Sequence, residues 1–470
     1  MIGLIARKEF SELRRDARFR AAAFTLTLLF LAGGVFGWSN YLELAKQAQR
    51  ASQDERERWT DQAHKHPHAG AHYGVFAFKS PRPLAILDSG IQPYVGASVW
   101  LEAHKQNEML YRPAEDATAL QRFGDLTVAM VGQSLLPLLI IFMGYSAFAG
   151  EREQGTLQQL IALGIPPLQL LLGKAAGLGY VLPIVLVPAF TLSMASAALL
   201  ARDGLVADEL ARAGLFAACY TVYLGGFLFF TLAVSAWCRS SKSALVVLLT
   251  FWAVTVLAAP RVLSDWARIA FPIATTVELK HELEATLDET VSRTLKQRES
   301  QLLEQYRVTR LEDLPFDPTG LILQTDEEAS YGPFEQHYGA FFDTLRAQNR
   351  FYQLGTLVSP VAGLQLASMA FAGTDLEQHR DFIRKAEDAR RVIHTMINDY
   401  IAEHAARNAN GEWEVEAGRE LWERIPEFEY TPPGWETVLP HYGPGLGLLV
   451  LWLAGCVIAA FLAVSNLRAD

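Results

Sequence analysis

The chain has 470 residues, of which 51% are hydrophobic, and its formal net charge at pH 7 is −10. The charges are concentrated in blocks between long apolar runs, which indicates an integral membrane protein. No basic patch with interleaved aromatic residues is present of the kind that single-stranded nucleic acid needs, so no nucleic-acid partner is predicted.

Residues 1–20 are predicted to form a cytoplasmic segment ahead of the first apolar run. Six basic residues lie in this segment, namely Arg7, Lys8, Arg14, Arg15, Arg18 and Arg20. Because positive residues favour the cytoplasmic side, the N-terminus is assigned to the cytoplasm. The segment is too long and too polar for an ordinary signal-peptide n-region, and no small-x-small cleavage site follows the apolar run, so the run is interpreted as an uncleaved anchor.

Six apolar runs are long enough, at roughly 17–25 residues each, to cross a hydrocarbon core of about 30 Å. The predicted spans are residues 21–38, 127–150, 175–200, 213–237, 243–259 and 442–465. An even number of spans returns the C-terminus to the cytoplasm. The predicted fold class is therefore an all-α membrane protein with six transmembrane helices and both termini cytoplasmic.

Two long hydrophilic insertions, residues 39–126 and 261–441, are predicted to lie on the periplasmic side and to build one large, mainly α-helical domain. The first begins with a charged helical extension of span 1 and continues with a Pro/Gly-punctuated stretch, in which short strands remain open. The three cysteines, Cys219, Cys238 and Cys456, lie in or beside the spans, so these insertions contain no disulfide.

The second insertion has the periodicity of several helices. One helical face is formed by Leu279, Leu283, Leu287, Val291 and Leu295. A second long helix is predicted to start near Asp375 and to bury Phe382, Ala386, Val392, Met396 and Tyr400. Two further helices are predicted between them, with a break near Ser359-Pro360. These parts predict a helical bundle that stands off the membrane.

The segment "GEREQGTLQQLIALGIPPLQLLLGK", residues 150–174, lies between spans 2 and 3. Thr156 and Gln159 have the spacing of a capping box, and the apolar residues Leu157, Leu160 and Ile161 share one face. Gly164 and the pair Pro166-Pro167 are typical helix stops. The pattern predicts a short amphipathic helix against the inner membrane face, on the charged stem Glu151-Arg152-Glu153. An ordinary cytoplasmic loop is the alternative.

The stretch "FAGEREQGTLQQLIALGIPPLQLLLGK" resembles the first cytoplasmic segment of the type-2 (ABC-2) family of ABC transporter permeases. In that family the segment is the coupling helix that sits on an ATPase subunit. The resemblance implies six ATPase-facing residues, namely Glu151, Arg152, Glu153, Gly155, Thr156 and Leu160. The basic stretch "IARKEFSELRRDARFR" is similar to the elbow helix of these permeases.

The insertions resemble a bacterial subgroup of the same family whose outer domain has no known function. Stretches such as "YGVFAFKSPRPLAILDSGIQPYVGASVWLEAHKQNE" carry this resemblance. Common members have only short re-entrant helices before the last span, whereas about 180 residues are inserted here. The insertion therefore leaves open whether substrate exits directly between two permease halves.

The sequence contains no phosphate-cradling pattern G-x-x-x-x-G-K-[ST], so ATP and Mg are predicted to bind to a separate ATPase subunit and this chain to bind no cofactor. No acidic, basic or His residue lies near the middle of a span, which argues against an ion-coupled carrier. The candidates for a polar substrate path are Gln133, Ser134, Ser193, Ser196, Thr221 and Tyr223. Hydrogen bonding between helices is their alternative role. Two GxxxG matches, Gly173/Gly177 and Gly443/Gly447, are weak indications of close helix packing.

The stretch "HKHPHAGAH" is rich in imidazoles, the side chains that zinc, copper and nickel prefer. However, Pro67 and the small residues indicate a loose loop, and neither Cys nor a placed carboxylate completes a site. No metal site is predicted. The alternative is a site formed by His64, His66, His68 and His72.

These observations predict a non-enzymatic permease subunit of an ABC exporter in the bacterial inner membrane. Its expected partners are an ABC ATPase subunit, a second permease copy or paralogue, membrane lipid and a candidate periplasmic protein. A mechanical transducer that acts on a periplasmic partner without carrying substrate is the first alternative. A membrane-anchored hydrolase or metalloenzyme is the second, although no catalytic set is found for it.

Overall fold

The computed structural model describes residues 1–116, 126–202 and 204–467. Part of the predicted first insertion, residues 117–125, lies outside this described part. In chain order the helices are α1 (Ile2–Arg15), α2 (Ala17–Thr60), α3 (Pro67–Tyr73), α4 (Val128–Glu153), α5 (Thr156–Ala162), α6 (Pro167–Leu199), α7 (Val206–Trp237), α8 (Ser241–Ala270), α9 (Thr276–Tyr306), α10 (Thr319–Leu354), α11 (Pro360–Ala372), α12 (Leu376–His404), α13 (Arg419–Arg424) and α14 (Trp435–Ser465). The strands are β1 (Val75–Phe78), β2 (Ser98–Glu102), β3 (Lys105–Leu110), β4 (Ala406–Arg407) and β5 (Trp413–Glu414). Single helical turns lie at Pro83–Ile86, Gln92–Val95, Pro113–Asp116, Leu311–Asp313 and Gly355–Leu357.

Six helices are long and apolar enough to cross a membrane, and the six predicted spans lie within them except for the end residues Thr127 and Leu200. We call these helices, α2, α4, α6, α7, α8 and α14, the bundle. Several run well past the predicted spans; α2, for example, continues through its charged extension to Thr60. The helices are longer than the spans because hydropathy reports only the apolar part of a helix, whereas the hydrogen-bonded backbone continues into polar sequence. Because α7 starts at Val206, before the predicted span, the charged residues Asp208, Glu209 and Arg212 are part of this helix.

Both insertions contribute to one folded unit, which we call the insertion domain: the end of α2, then α3, β1–β3, α9, α10, α12 and α13. Its core contains Trp59 from the first insertion and Phe382 and Trp422 from the second. The Trp59 Nε1 donates a hydrogen bond to the Trp422 carbonyl at 3.1 Å, and the two rings meet edge to face. The two insertions therefore fold together.

The first insertion contains an antiparallel sheet in the order β1-β2-β3. The segments "VFAF" and "SVWLE" are rich in aromatic and β-branched residues, which pack well on a pleated surface. The chain is mainly helical, as predicted, but it is not all-α. The short strands that were an alternative for the Pro/Gly-punctuated stretch are present.

The long helices of the second insertion are present. α9 starts with a capping box, in which the Glu278 N–H donates to Thr275 Oγ1 at 3.2 Å and Glu278 Oε2 accepts from the Thr275 N–H at 2.8 Å. α12 buries Phe382 and Ala386 as predicted, but Val392 is 50% exposed, so its predicted burial is wrong. The buried stripe of α12 continues instead through Ile393, Ile397 and Ile401.

α11 does not belong to the insertion domain. Most of its residues are buried, including Val361, Leu364 and Phe371, and it packs against α7 and α14 of the bundle. A helix that is apolar all round needs neighbours on all sides, which the bundle supplies. The prediction that the whole second insertion stands off the spans is therefore wrong for residues 360–372.

Candidate functional site

The short helix α5 ends where predicted, but its start differs from the prediction. Gly155 precedes it with a φ of +73°, in the left-handed region that favours glycine. The capping box expected from Thr156 and Gln159 is not formed, because Gly155 takes the capping position and Thr156 is already helical. The Thr156 Oγ1 donates instead to the Glu151 carbonyl at 3.1 Å, which ties the helix to its stem.

The end of α5 follows the predicted stop signals. The Ile165 N–H donates to the Leu160 carbonyl at 3.3 Å and the Gly164 N–H to the Ile161 carbonyl at 2.9 Å, while Gly164 has a φ of +77°. This is the bond pattern of a glycine-terminated helix. Pro167 then begins α6, so the chain turns back toward the bundle within a few residues.

The charged stem is bonded to other helices of the same chain. The Arg152 guanidinium donates to the carbonyls of Ala236, at 2.9 Å, and Cys238, at the end of α7. Glu153 accepts from the backbone N–H and the hydroxyl of Ser241, at 3.1 and 2.7 Å, at the start of α8. A cation at a helix C-terminus and an anion at a helix N-terminus are the favourable arrangement for the helix dipoles. The stem thus fixes α5 to the α7–α8 junction.

A buried ion cluster joins the stem to α1. The Lys174 Nζ lies 2.8 Å from Glu9 Oε1 and 2.8 Å from Glu151 Oε1, and the residue is only 1% exposed. The more exposed Lys8 Nζ approaches Glu151 at 3.1 Å. Partial burial disfavours the charged form of Lys8, but Glu9, Glu151 and Glu12 outweigh it and raise the pKa of Lys8. We call Glu9, Glu151 and Lys174 the anchor cluster.

Two glycines let α1 come close enough to α6 for this cluster to form. A Cβ added at Gly173 would lie 2.6 Å from the Ile5 Cβ, and one added at Gly177 would lie 2.7 Å from the Ala6 carbonyl oxygen. Such distances exclude any side chain unless the helices move apart. The Gly173/Gly177 match, a weak indication in the sequence, is thus a close helix contact in the structure.

The surface of α5 is divided into a packed and an exposed face. Leu157 is 2% exposed, and Leu160 and Ile161 pack against the core of the bundle. The exposed residues are Gln158, Gln159, Ala162 and Leu163. Leu163, directly after α5 and before Gly164, is 78% exposed, which is a high value for a large apolar side chain.

The six predicted ATPase-facing residues therefore mostly hold α5 in place. Glu151, Arg152 and Glu153 have partners within the chain, and Leu160 points toward the core. Their contact with an ATPase subunit stays a prediction. The exposed face was not singled out in the sequence, although it is the face opposite Leu157, Leu160 and Ile161 at helical spacing.

Three of the candidate path residues come together where α4 contains a turn of π-helix, Val131–Leu135. Pro137 has no N–H to pair with the Gln133 carbonyl, and Tyr223 Oη donates to that carbonyl at 2.7 Å. The Trp252 Nε1 likewise donates to the Ser134 carbonyl at 2.9 Å. Neighbouring helices thus satisfy backbone groups that the irregular turn frees.

The other three candidate path residues lie elsewhere. Ser196 Oγ donates to the Ser193 carbonyl at 2.9 Å and Thr221 Oγ1 to the Ala217 carbonyl at 2.8 Å, both within their own helices. The buried Ser193 Oγ has no hydrogen-bond partner among the described residues. A substrate path through these positions stays a prediction.

The histidine-rich segment is regrouped by the fold. His68 and His72 lie on α3, and their Nε2 atoms are 3.1 Å apart. His104, from the β2–β3 turn, joins them with its Nε2 3.4 Å from that of His68. His66 instead caps α3 by accepting the His68 N–H at Nδ1, and His64 is not part of the group. Burial and the imidazoles of His104 and His72 lower the pKa of His68 to about 4, so it is neutral at pH 7.

A second buried ion network ties the insertions to the bundle. Arg82, after β1, contacts Asp208 and Glu209 at the start of α7. Arg212 lies 2.9 Å from Asp208 and donates to the Pro433 carbonyl, ahead of α14, at 2.7 Å. We call Arg82, Asp208, Glu209 and Arg212 the junction network. The sequence did not predict this network, because Asp208, Glu209 and Arg212 lie between predicted spans 3 and 4 and no partner was assigned to them.

Two family models match the chain. The model described as ABC-2 family transporter protein covers residues 4–303, and a domain of unknown function, DUF3526, covers residues 273–431. No curated protein matches the chain. The first match takes in α1, the stem, α5 and five of the six bundle helices, which is well over half of the sequence. The chain therefore belongs to the ABC-2 family of membrane transporter proteins, the permease partners of ABC ATPase subunits.

Proposed function

We propose that the protein is the transmembrane permease subunit of an ATP-driven exporter in the bacterial inner membrane. A separate ATPase subunit binds ATP and Mg, and α5 is the coupling helix that sits on it. A second permease copy or paralogue completes the membrane unit. The observation that carries the proposal is that α5 is anchored to three helices and yet exposes Leu163 at its tip.

The anchoring suggests how motion passes into the membrane. Bonds run from the stem to α1 through Lys174, to the end of α7 through Arg152 and to the start of α8 through Glu153. A displacement of α5 by a closing ATPase dimer would therefore be shared by these helices rather than absorbed in a flexible loop. This rigidity is what coupling requires.

The substitution Leu163→Asp tests the coupling surface. An exposed apolar tip that enters a pocket on a partner contributes about 2 kcal/mol or more, so we expect roughly 30-fold weaker binding of the ATPase subunit and a matching loss of stimulated ATP hydrolysis. The fold is unaffected because Leu163 is 78% exposed. The measurement is ATPase binding and turnover with the full complex in nanodiscs.

Val277→Asp is the matched control, since Val277 is 78% exposed at the start of α9 in the insertion domain, outside the predicted spans. It should bind the ATPase subunit like the wild type. Wild-type binding and stimulation by the Leu163→Asp protein would rule out α5 as the coupling helix.

The proposed orientation makes a separate prediction. In a Cys-free background, a cysteine at the exposed Ser300 of α9 should react with an impermeant thiol reagent in intact spheroplasts, because the insertion domain is assigned to the periplasm. A cysteine at Gln158 of α5, which is also exposed, should react only after lysis. Labelling of both positions, or of Gln158→Cys alone, in intact cells would reverse or refute the topology.

A mechanical transducer is the second candidate function, and α2 favours it. This helix has 44 residues, about 66 Å at 1.5 Å per residue, and runs without a break from the first span to Trp59 in the core of the insertion domain. A rigid rod of this kind can carry movement to a partner beyond the membrane. Inverted vesicles distinguish the two functions: an exporter accumulates a solute on ATP addition, detectable by untargeted mass spectrometry, and a transducer does not.

A further inference from the structure

Three imidazoles from separate parts of the first insertion converge on one point. His68 and His72 are four residues apart on α3 and so project from the same side. Their Nε2 atoms are 3.1 Å apart, His104 Nε2 lies 3.4 Å from that of His68, and all three ligand atoms lie within 4.8 Å of one another. Tetrahedral coordination with metal–nitrogen bonds of about 2.0–2.1 Å places two ligand nitrogens about 3.3–3.4 Å apart. The His68–His72 and His68–His104 separations are close to that value.

The backbone at His104 is held in a conformation that a histidine rarely adopts. Glu102 pairs with Lys105, so Ala103 and His104 form a two-residue hairpin turn. His104 has a φ of +67°, at a position where glycine or asparagine is the favoured residue. Such local strain is characteristic of functional positions, and here its effect is to aim the imidazole at α3.

The second insertion orients the His104 ring. Asp326 on α10 bonds to Nδ1 of His104, and Glu327 Oε1 accepts the His104 backbone N–H at 2.6 Å. With Nδ1 bonded to the Asp326 carboxylate, Nε2 is the nitrogen left to bind a metal, and it lies beside Nε2 of His68. A carboxylate behind a histidine in this way is the usual outer shell of a metal ligand. Glu327 is itself fixed by the buried Arg390 at 2.6 Å.

We propose that His68, His72 and His104 bind one divalent transition-metal ion of the zinc class through their Nε2 atoms. Three neutral imidazoles suit Zn²⁺, and three protein ligands leave a fourth position for water or for a donor group of another molecule. The site links α3 to the β2–β3 turn and, through Asp326, to α10. It is independent of ATP coupling at the far end of the bundle.

The test uses the full-length protein in detergent, purified without a polyhistidine tag, and Zn²⁺ in competition with a chromophoric chelator. We expect one Zn²⁺ per chain with a Kd at or below about 1 µM. His72→Ala should weaken binding by at least about 100-fold, as expected when one of three ligands is removed. His64→Ala is the control, since it removes an imidazole of the same segment that lies outside the site, and it should change Kd by no more than about twofold.

Co²⁺ supplies a second, spectroscopic readout. The wild type should give the strong visible absorption of tetrahedral Co²⁺, and Asp326→Asn should weaken metal binding by about 10- to 100-fold while keeping the three ligands. Zn²⁺ should also raise the thermal unfolding midpoint of the wild type and of His64→Ala but not of His72→Ala. A wild type that binds no Zn²⁺ at 10 µM, or equal losses in His64→Ala and His72→Ala, would overturn the proposal.

Discussion

Lys174→Met should detach α1 from the stem of α5 and abolish stimulation of the ATPase subunit. The Lys174 ammonium is 1% exposed and is 2.8 Å from carboxylate oxygens of both Glu9 and Glu151. Removing it leaves the two carboxylates with the half-exposed Lys8, which contacts both of them, and breaking a buried pair in this way costs about 3–5 kcal/mol. Thermal unfolding followed by Trp fluorescence, together with ATP turnover of the reconstituted complex, measures both effects.

The same cluster offers a control and a rescue. Lys8→Met removes a cation that also contacts Glu151, but its side chain is 49% exposed, so the cost should stay below about 1 kcal/mol. The triple variant Lys174→Met, Glu9→Gln and Glu151→Gln removes all three charges and should recover most of the stability. Normal stability of Lys174→Met alone would show that the anchor cluster does not hold α1 and α5 together.

The end of α5 was predictable because it depends on local residues. Gly164 and the two prolines stop a helix in almost any context, and the helix ends where they predict. Its start was predicted less well, since Thr156 and Gln159 have the spacing of a capping box whether or not the box forms. The left-handed conformation of Gly155 makes this residue, and not Thr156, the cap of the helix. The spacing of residues in a sequence does not indicate φ, so this start was not predictable.

The partners of the charged residues were not predictable from local pattern. The Lys174–Glu9 contact joins residues 165 positions apart, and Lys8–Glu151 joins residues 143 apart. A charge in a short loop between spans is most simply interpreted as facing water or a partner. The close approach that Gly173 and Gly177 permit is what buries these charges, and a single sequence does not show which helix approaches.

The histidine group illustrates the same limit. The sequence brings four imidazoles together within nine residues, yet only His68 and His72 of these lie in the group. The third member, His104, lies 36 residues after His68. Only the β2–β3 hairpin places it there.

The helix α12 was predictable, but its buried face was only partly so. Val392 and Ile393 are adjacent apolar residues, and tertiary packing buries the second of them.

Arg212→Met is expected to separate the insertions from the bundle. Arg212 is fully buried and bonds three parts of the chain at once: Asp208 on its own helix at 2.9 Å, the Ala370 carbonyl of α11 at 3.0 Å and the Pro433 carbonyl at 2.7 Å. Methionine fills much of the volume but removes one donor from each of these acceptors and leaves Arg82 as the remaining cation beside Asp208 and Glu209, which should cost about 3–5 kcal/mol.

Arg202→Met is the matched control for this variant. Arg202 also connects the start of the α7 region with the insertions, since it donates to the Tyr430 carbonyl at 3.0 Å and to Ser80 Oγ at 2.7 Å, but it is an exposed residue. Its loss should cost less than about 1 kcal/mol, because water replaces its hydrogen bonds. Thermal unfolding and limited proteolysis of the insertion domain should therefore respond strongly to Arg212→Met and weakly to Arg202→Met. If the insertion domain moves with α7 through this junction, Arg212→Met should also abolish ATP-dependent changes in the protease sensitivity of the domain. Binding of the ATPase subunit at α5 should persist in this variant. Equal behaviour of the two arginine variants would show that the junction network does not join the domain to the bundle.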